Sequence, residues 1–221
     1  MKQNEVQANL FYSLGEEDLR EIKQHAREKS FAKGETIWFE GDAAGTVWLV
    51  KEGRVHVTKS TGESSCAIMD LFTAGQAICT AAHIMEKPFA CNAVAATDSV
   101  LLAIPAIRFH EFLSRLPQFA RNLLKEMAPN FCEAHCASAM TSAPVKTRLA
   151  AQLARLHKQF EGASLPFTRQ ELSQMAGTTV ETTIRTLSEW GKQGILRSTR
   201  GEIKVLKLSK LEEIIKAIRG E

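Results

Sequence analysis

The amino-acid sequence predicts an α+β protein with an N-terminal antiparallel β-roll of jelly-roll type, a long helix and a C-terminal winged helix-turn-helix. Short β-rich runs separated by turn sequences fill residues 31–105, a pattern typical of an antiparallel roll or barrel. After Pro117, apolar residues recur at helical spacing. In "TRQELSQMAGTTVETTIRTL" a glycine separates two helical stretches. We expect the roll over 1–116, the long helix over 117–139 and the winged helix-turn-helix over 140–221.

The composition is that of a globular protein. The chain has 221 residues, of which 44% are hydrophobic and 24% charged. No apolar run approaches the roughly 18 residues that span a membrane, and the N-terminus lacks the apolar centre of a secretory signal. Five cysteines is an odd number without framework spacing. We therefore expect a cytoplasmic protein with free thiols and no membrane partner.

Charge is unevenly distributed along the chain. Before Met140 there are 14 basic and 17 acidic residues, whereas from Met140 onward there are 14 basic and 8 acidic residues. The net charges are therefore −3 and +6. A basic part joined to an acidic part suggests a polyanionic partner for the former, although ordinary scatter of charges remains an alternative.

The first half of the chain supplies one helix and then strands. Residues 13–29 carry an apolar stripe of Leu14, Leu19 and Ile22 that Ser13 can cap, which predicts a helix. The period then changes to two in "TVWLV", "RVHVT", "CAIMD" and "SVLLAI", with "KEG", "STGES" and "TAGQ" as turns between them. These runs are the expected strands of the roll.

The second half returns to helices. "AIRFHEFLSRL" predicts a helix that ends at Pro117, and a longer helix follows with the stripe Phe119, Leu123, Met127, Phe131 and Ala134. A stripe of this length has little of its own domain to cover it, so we expect a partner helix. Pro129 should kink or interrupt this helix. A further helix at 141–160 and a last helix opened by a Ser209–Glu212 capping box complete the prediction.

The glycine-separated pair of helices has the pattern of a DNA-reading element. Leu172, Met175 and Ala176 can bury one face of the first helix, and Gly177 permits a tight turn. Leu187 and Trp190 can bury the second helix.

On the opposite face of that second helix, Glu181 and Arg185 lie four residues apart. A carboxylate can accept from cytosine N4, and a guanidinium can bind guanine O6 and N7. A solvated Glu–Arg pair is the ordinary alternative. The following "RSTRGE", with Arg200 at the tip of a two-stranded wing, favours DNA binding.

Two longer stretches carry a family resemblance. "FTRQELSQMAG" followed by "TVETTIRTL", together with "KGETIWFEGDAAGTVWLVKEGRV", resembles the catabolite activator/FNR family of bacterial transcription regulators. The resemblance covers essentially the whole chain. It implies a sensor roll, a homodimer joined along the long helix at Leu123, Met127 and Phe131, and recognition helices in successive major grooves. The implied partners are double-stranded DNA with a near-palindromic operator and RNA polymerase.

The resemblance also implies roles for single residues. Glu181 and Arg185 match the base-reading acid and arginine. Thr168, Arg169, Gln170, Thr179 and Thr182 match positions that contact phosphates, and we add Arg200 of the wing to them.

Two positions of the second helix depart from the family pattern. Val180 stands where the nucleotide-responsive branch has a base-reading arginine, and Ile184 replaces the usual serine of the FNR branch. Periodicity alone could bury both with Leu187. The resemblance leaves them beside the DNA face, where they could contact a thymine methyl group.

The segment "GQAICTAAHIMEKPFACNA", residues 75–93, lacks the cyclic-nucleotide pattern of the family. Thr80, Ala90 and Cys91 stand where nucleotide-binding members carry a glutamate for the ribose and an arginine–serine pair for the phosphate. Ala134 and His135 on the long helix also differ from the base-contacting positions. We therefore expect an effector pocket that takes neither cyclic AMP nor cyclic GMP.

Three interpretations of the pocket remain open. A haem-type gas or redox sensor would use Cys79 or His83 as axial ligands, since Cys79 matches a position that resembles the haem-ligating cysteine of the carbon-monoxide-sensing branch. That branch's histidine position is Ala81 here. A thiol or soft-metal sensor would use Cys79, Cys91, Cys132 and Cys136. The third interpretation is a set of structural cysteines around a small apolar effector.

Other functional classes are constrained by the same residues. No cysteine precedes Cys66, so we expect no N-terminal iron–sulfur cluster of the FNR kind. A DNA-binding protein whose roll senses nothing remains an alternative. We expect no enzyme, because the sequence offers no nucleophile–base pair, Walker loop or paired carboxylates in a plausible cleft.

Overall fold

The computed structural model of the chain describes residues 9–62, 65–139 and 142–217. It separates into two compact units, residues 1–134 and 135–221. Within the described part of the chain, no helix combines the length and the apolar character needed to cross a membrane.

The first unit has the predicted β-roll with helices around it. A short 3-10 helix, Asn9–Phe11, precedes its regular elements. Its helices are α1 (Glu16–His25), α2 (Thr80–Ile84), α3 (Ala106–Arg115) and α4 (Pro117–Ala139), the last of which continues into the second unit. Its strands are β1 (Arg27–Phe31), β2 (Thr36–Trp38), β3 (Thr46–Glu52), β4 (Arg54–Gly62), β5 (Ser65–Thr73), β6 (Ala77–Ile78), β7 (Asn92–Ala95) and β8 (Ser99–Pro105).

These strands form two antiparallel sheets of four strands each, in the orders β1-β8-β3-β6 and β2-β7-β4-β5. Apolar residues from both sheets form one buried cluster, which includes Phe31, Trp38, Val50, Phe72 and Leu101. A second cluster joins the outer side of the β3-β8 sheet to the helices and includes Ile104, Phe109 and Phe119. The roll predicted from the alternating pattern is therefore confirmed, because each strand has an apolar side to bury.

The first helix is shorter than the sequence suggests. It begins after Gly15 and ends at His25, and Ser13 has a left-handed φ of 57° instead of capping it. Residues 27–31 form β1, which pairs with β8. The predicted helix therefore gives way over 27–29 to backbone pairing with β8, which supplies hydrogen-bond partners to the strand.

The long helix α4 uses its apolar stripe differently from the prediction. Phe119 and Leu123 are buried in their own unit, and Leu123 is only 3% exposed, so Leu123 has no surface left for a partner helix. Leu124 and Phe131 are 68% and 66% exposed. The expected interruption at Pro129 does not occur, since the helix assignment continues to Ala139.

The second unit contains the predicted winged helix-turn-helix. Its elements are α5 (Val145–Gln159), α6 (Arg169–Ala176), α7 (Val180–Lys192), β9 (Leu196–Thr199), β10 (Glu202–Val205) and α8 (Leu208–Lys216). β9 and β10 pair as the two-stranded wing. The buried side chains come from all the helices and the wing and include Leu149, Leu153, Leu172, Leu187, Trp190, Ile203 and Leu211.

The last helix does not start with the predicted capping box. It begins at Leu208, after Lys207, and no side chain caps it. Ser209 therefore lies inside the first turn. Glu212 lies 3.6 Å from the Lys158 ammonium of α5, which gives its carboxylate a partner outside the helix.

One buried carboxylate attaches α4 to the roll. Glu126 Oε1 accepts the backbone N–H of Ala77 in β6 at 2.8 Å. Glu126 Oε2 is buried and has no hydrogen-bond partner among the described residues. Burial raises the pKa of Glu126 to about 7, against a smaller lowering by the Ala77 N–H. Glu126 lies seven residues after Phe119, on the same buried side of the helix, and this spacing is the one signal in the sequence that could have revealed it.

This carboxyl predicts a pH-dependent stability. Its pKa is raised from 4.5 to about 7 on folding, so ionisation opposes folding. The penalty is absent below pH 4.5, grows as the pH rises towards 7 and is complete above it; a rise of this size corresponds to about 3 kcal/mol. Glu126→Gln keeps an acceptor for Ala77 and removes the charge. Its gain in the free energy of unfolding should therefore be about 2–3 kcal/mol larger at pH 8.5 than at pH 5.

Urea unfolding at the two pH values measures this difference. Glu52→Gln, at an exposed position of the same unit, is the control and should show little change. An equal effect of Glu126→Gln at both pH values would show that the carboxyl does not carry the penalty.

Candidate nucleic-acid interface and sensor segment

The first helix of the helix-turn-helix is fixed at both ends by local hydrogen bonds. Thr168 and Glu171 form a reciprocal capping box, in which the Glu171 N–H donates to Thr168 Oγ1 at 3.1 Å and the Thr168 N–H donates to Glu171 Oε2 at 2.6 Å. At the other end, Gly177 has a φ of 59° and donates its N–H to Ser173 O. The predicted turn at Gly177 is confirmed, since this left-handed conformation favours glycine.

The second helix, α7, has one buried side and one exposed side. Thr179 caps its start by accepting the N–H of Thr182 at 3.2 Å. Leu187 and Trp190 are buried as predicted, together with the unpredicted Thr183 and Thr186. These contacts orient α7 so that the opposite side faces outward.

The outward side of α7 carries the predicted base-reading residues. Glu181 and Arg185 are exposed. Val180 and Ile184 are 39% and 41% exposed, so neither is buried with Leu187, the alternative that periodicity alone allowed. The four side chains follow the spacing i, i+1, i+4 and i+5 and therefore lie on one face of the helix. This face combines an acceptor, a guanidinium and two apolar contacts.

The predicted phosphate-contacting residues lie at the starts of α6 and α7 and in the wing. Arg169 and Gln170 are exposed in the first turn of α6, and Arg200 is exposed in the turn between β9 and β10. The hydroxyl groups of Thr168 and Thr179 already serve as helix caps, and Thr179 also donates to Thr182 Oγ1 at 3.0 Å. The free N–H groups at the helix starts remain suited to anions.

In the sensor segment, the three positions of the missing nucleotide pattern have different environments. Thr80 is buried, Ala90 is exposed and Cys91 is partly buried. Lys59 Nζ donates to Ala90 O at 3.0 Å and also lies 3.0 Å from Glu40 Oε1. Lys59 is not among the residues predicted from the sequence, although pairing of β4 with β7 brings it to this place. Its positive charge is already paired with the Glu40 carboxylate.

The Cys79 thiol is held in its protonated form. Cys79 precedes α2 with a left-handed φ of 51° and packs against the cluster shared by the two sheets. Burial raises the pKa of Cys79 to about 12, and the neighbouring Cys91 adds to the rise. Burial likewise raises the pKa of Cys91, while Lys59 acts in the opposite direction. Because the thiolate is the nucleophile and metal ligand, neither environment favours reactivity.

The His83 side chain is 1% exposed and lines a cavity of about 650 Å³. Its Nδ1 lies 3.0 Å from Ala44 O, so Nδ1 must carry a hydrogen in order to donate. Nε2 is buried and has no partner among the described residues, and burial lowers the pKa of the ring. The cavity lining is Ala43, Ala44, Gly45, His83, Glu86, Lys87, Pro88, Ala106, Ile107 and His110. Cys79 is not part of it, so the two candidate haem ligands face different surroundings.

The remaining predicted pocket and thiol residues belong to the C-terminal part of α4. The side chains of Cys132, Ala134, His135 and Cys136 lie outside the described part of α4. Where side chains are described, no group of three or more His, Cys, Asp or Glu residues is arranged to hold a metal ion.

Comparison with known proteins supports both halves of this description. A family model described as "Cyclic nucleotide-binding domain" matches residues 28–116, and one described as "Crp-like helix-turn-helix domain" matches residues 147–214. The chain is 27% identical to the cyclic AMP receptor protein of Thermus thermophilus, covering 93% of this chain and 95% of that protein.

Two further comparisons agree in family and fold. The chain is 23% identical to the transcriptional activator protein FnrA of Stutzerimonas stutzeri, covering 81% of this chain and 77% of that protein. The structure of FixK2 from Bradyrhizobium japonicum has the same fold, with a TM-score of 0.75 at 22% identity over 86% of this chain and 96% of that one. The two matched domains, in this order and with this fold, show that the chain belongs to the catabolite activator/FNR family of DNA-binding transcription regulators.

Proposed function

We propose that the protein is a sequence-specific transcription regulator that binds DNA as a homodimer, under the control of an effector that is not a cyclic nucleotide. The exposed face of α7 is the observation that carries this proposal. Glu181 and Arg185 lie on it while the apolar side of the same helix is buried. In this role its partners are double-stranded DNA, a second copy of the chain and RNA polymerase.

Base reading follows from the chemistry of this face. Arg185 can donate two hydrogen bonds to guanine O6 and N7, and Glu181 can accept from cytosine N4. Val180 and Ile184 can contact thymine methyl groups because both are partly exposed. Arg169 and Arg200, on α6 and the wing, supply charge for the phosphates on either side.

Replacement of Arg185 tests the base-reading role. Arg185→Ala should weaken binding to the preferred operator by about 1–3 kcal/mol and relax the preference at one G·C pair in each half-site. Arg169→Ala is the matched control: it should weaken binding to all sequences alike and flatten the salt dependence. Fluorescence anisotropy on operators with single substitutions measures both. Unchanged base preference in Arg185→Ala would reject the assignment.

The exposed apolar side of α4 supports the homodimer. Leu124 and Phe131 are 68% and 66% exposed and lie seven residues apart, hence on one side of the helix. The partner helix is therefore expected to contact this side, with Met127 at its edge and Leu123 excluded by its burial. Two such helices would cover each other's apolar surface.

Leu124→Asp tests this seam. A carboxylate buried there without a partner would cost several kcal/mol and should dissociate the dimer. Sedimentation at micromolar concentration should show a monomer with lost operator binding. Ile107→Asp, at a similarly exposed position on α3 (69%), is the control and should remain dimeric. A stable Leu124→Asp dimer would place the seam elsewhere.

The sensor segment supports an effector other than a cyclic nucleotide. Thr80 and Ala90 provide neither a carboxylate nor a guanidinium, and the nearby Lys59 is already paired with Glu40. The T. thermophilus relative is named a cyclic AMP receptor protein, but residues 75–93 of this chain contain no arginine. A cyclic phosphate placed there would compete with the Glu40 carboxylate for the Lys59 ammonium.

Calorimetry with cyclic AMP and cyclic GMP tests this part. Each missing charge-assisted contact removes about 1.5–3 kcal/mol, which is roughly tenfold to more than a hundredfold in affinity. Neither nucleotide should therefore bind in the micromolar range. Saturable micromolar binding that alters operator affinity would contradict the proposal.

Haem remains a proposal for the effector, with His83 better suited than Cys79. Burial lowers the pKa of His83, which favours the neutral ring, and its Nδ1–H is held by Ala44 O, which is the usual second hydrogen bond of a metal-ligating histidine. Its Nε2 is buried, so α2 would have to move before a ligand could reach it. The absorption spectrum after haem titration decides: a Soret shift absent from His83→Ala supports the ligand, and identical spectra remove it.

Two alternative accounts of the sensor roll are each supported by one specific observation. Cys79 and Cys91 pack against the same apolar cluster, which brings two thiols into one region as a thiol-based or soft-metal sensor requires, although the burial that raises both pKa values opposes their reactivity. Burial of Thr80 and His83 within the segment favours a constitutive regulator whose roll senses nothing. Operator binding measured before and after mild thiol oxidation separates these two: a change supports the sensor.

A further inference from the structure

The turn between α6 and α7 takes hydrogen bonds from α5. The carbonyl groups of Met175, Ala176 and Gly177 come at the end of α6, where a helix lacks internal donors. Gln152 Nε2 donates to Met175 O at 3.3 Å, Arg148 Nε donates to Ala176 O at 2.8 Å and Arg148 Nη2 donates to Gly177 O at 2.9 Å. Three consecutive carbonyls are thus satisfied by one face of α5.

The same guanidinium also holds the chain that enters α5. Arg148 Nη1 donates to Ala143 O at 2.8 Å, just before the helix begins at Val145. One planar group therefore joins the entering backbone to the helix-turn-helix turn. Lysine could not do this, because the three donors of an ammonium lie on one nitrogen, whereas these bonds use the three separate nitrogens of a rigid guanidinium.

The hydrogen-bonded turn determines where the recognition helix α7 begins. Thr179, the N-cap of α7, follows Gly177 by two positions, so the orientation of the turn sets where α7 begins. The positive charge of Arg148 also lies at the C-terminal end of α6, where the helix dipole favours a cation. Arg148 is half-buried and its described hydrogen bonds go to backbone carbonyls.

We propose that Arg148 is a positioning residue for base recognition, which couples the backbone entering the DNA-binding unit to the recognition helix without contacting DNA. This inference rests on the proposed DNA-binding function. Arg148 then contributes to the preference for the operator sequence and not to the non-specific affinity for DNA. Displacement of Ala143 would be passed to the α6–α7 turn through the guanidinium.

The test compares three variants on two DNA duplexes. Arg148→Lys keeps the charge and most of the stem, and Arg148→Met removes the charge. Lys158→Met, on the same helix, is the control, because its distant ion pair to Glu212 is exposed and long at 3.6 Å. Affinity is measured by fluorescence anisotropy over a range of salt for the selected operator and for a scrambled duplex of equal length.

We expect both Arg148 variants to bind the operator about tenfold or more weakly, while binding to the scrambled duplex and the salt slope change little. Lys158→Met should keep the ratio of operator to scrambled affinity. A phosphate-contacting arginine would behave differently, since Arg148→Met would lower the slope by about 1 and weaken both duplexes.

Several outcomes overturn the proposal. Operator affinity of Arg148→Lys within twofold of the wild type would show that the fork is not needed. Equal loss on both duplexes would assign Arg148 to phosphate contact or to folding alone. A wild-type protein without any sequence preference would instead refute the proposed function.

Discussion

The hydrogen bonding of the α6–α7 turn is the constraint on which the recognition surface depends. A glycine in the left-handed conformation reverses the chain at Gly177, and its neighbouring carbonyls need donors that neither helix supplies. Arg148 and Gln152 provide those donors from α5. Once the turn is fixed, burial of Leu187 and Trp190 determines the rotation of α7 about its axis. Glu181 and Arg185 then face outward because the opposite side of α7 is buried.

The sensor unit has a related connection between a helix and the end of a strand. Glu126 of α4 accepts the N–H of Ala77, which lies two residues before Cys79 and three before the start of α2. The sensor segment and the long helix are therefore joined by the hydrogen bond that Ala77 donates to this carboxyl and by the apolar cluster that Ala77 shares with Phe119 and Leu123. A change in the conformation of residues 77–84 would alter the contact between Ala77 and Glu126 and could thereby displace α4. This contact offers a physical route from an effector to the helix that carries the proposed dimer seam.

The sequence predicts what depends on neighbouring residues and misses what depends on distant ones. Alternating apolar residues identified the strands, and the spacing of Leu172, Gly177 and Leu187 identified the helix-turn-helix, because burial acts on each element directly. Residues 27–29 failed as helix because β8 pairs with them. Ser209 failed as a cap because the helix begins one residue earlier. Leu123 was assigned to a partner because the roll that covers it is distant in sequence.

The functional residues follow the same division. Glu181 and Arg185 could be proposed from helical spacing, whereas Lys59, Glu126 and Arg148 form hydrogen bonds with partners 28 to 49 residues away, which leave almost no local signal. The measurement that tests the central claim most directly is selection by the wild-type protein from random duplex DNA. It should enrich a near-palindromic site whose half-sites lie about one helical turn apart. Enrichment of no sequence, or of a single unrepeated half-site, would contradict a homodimeric sequence-specific regulator.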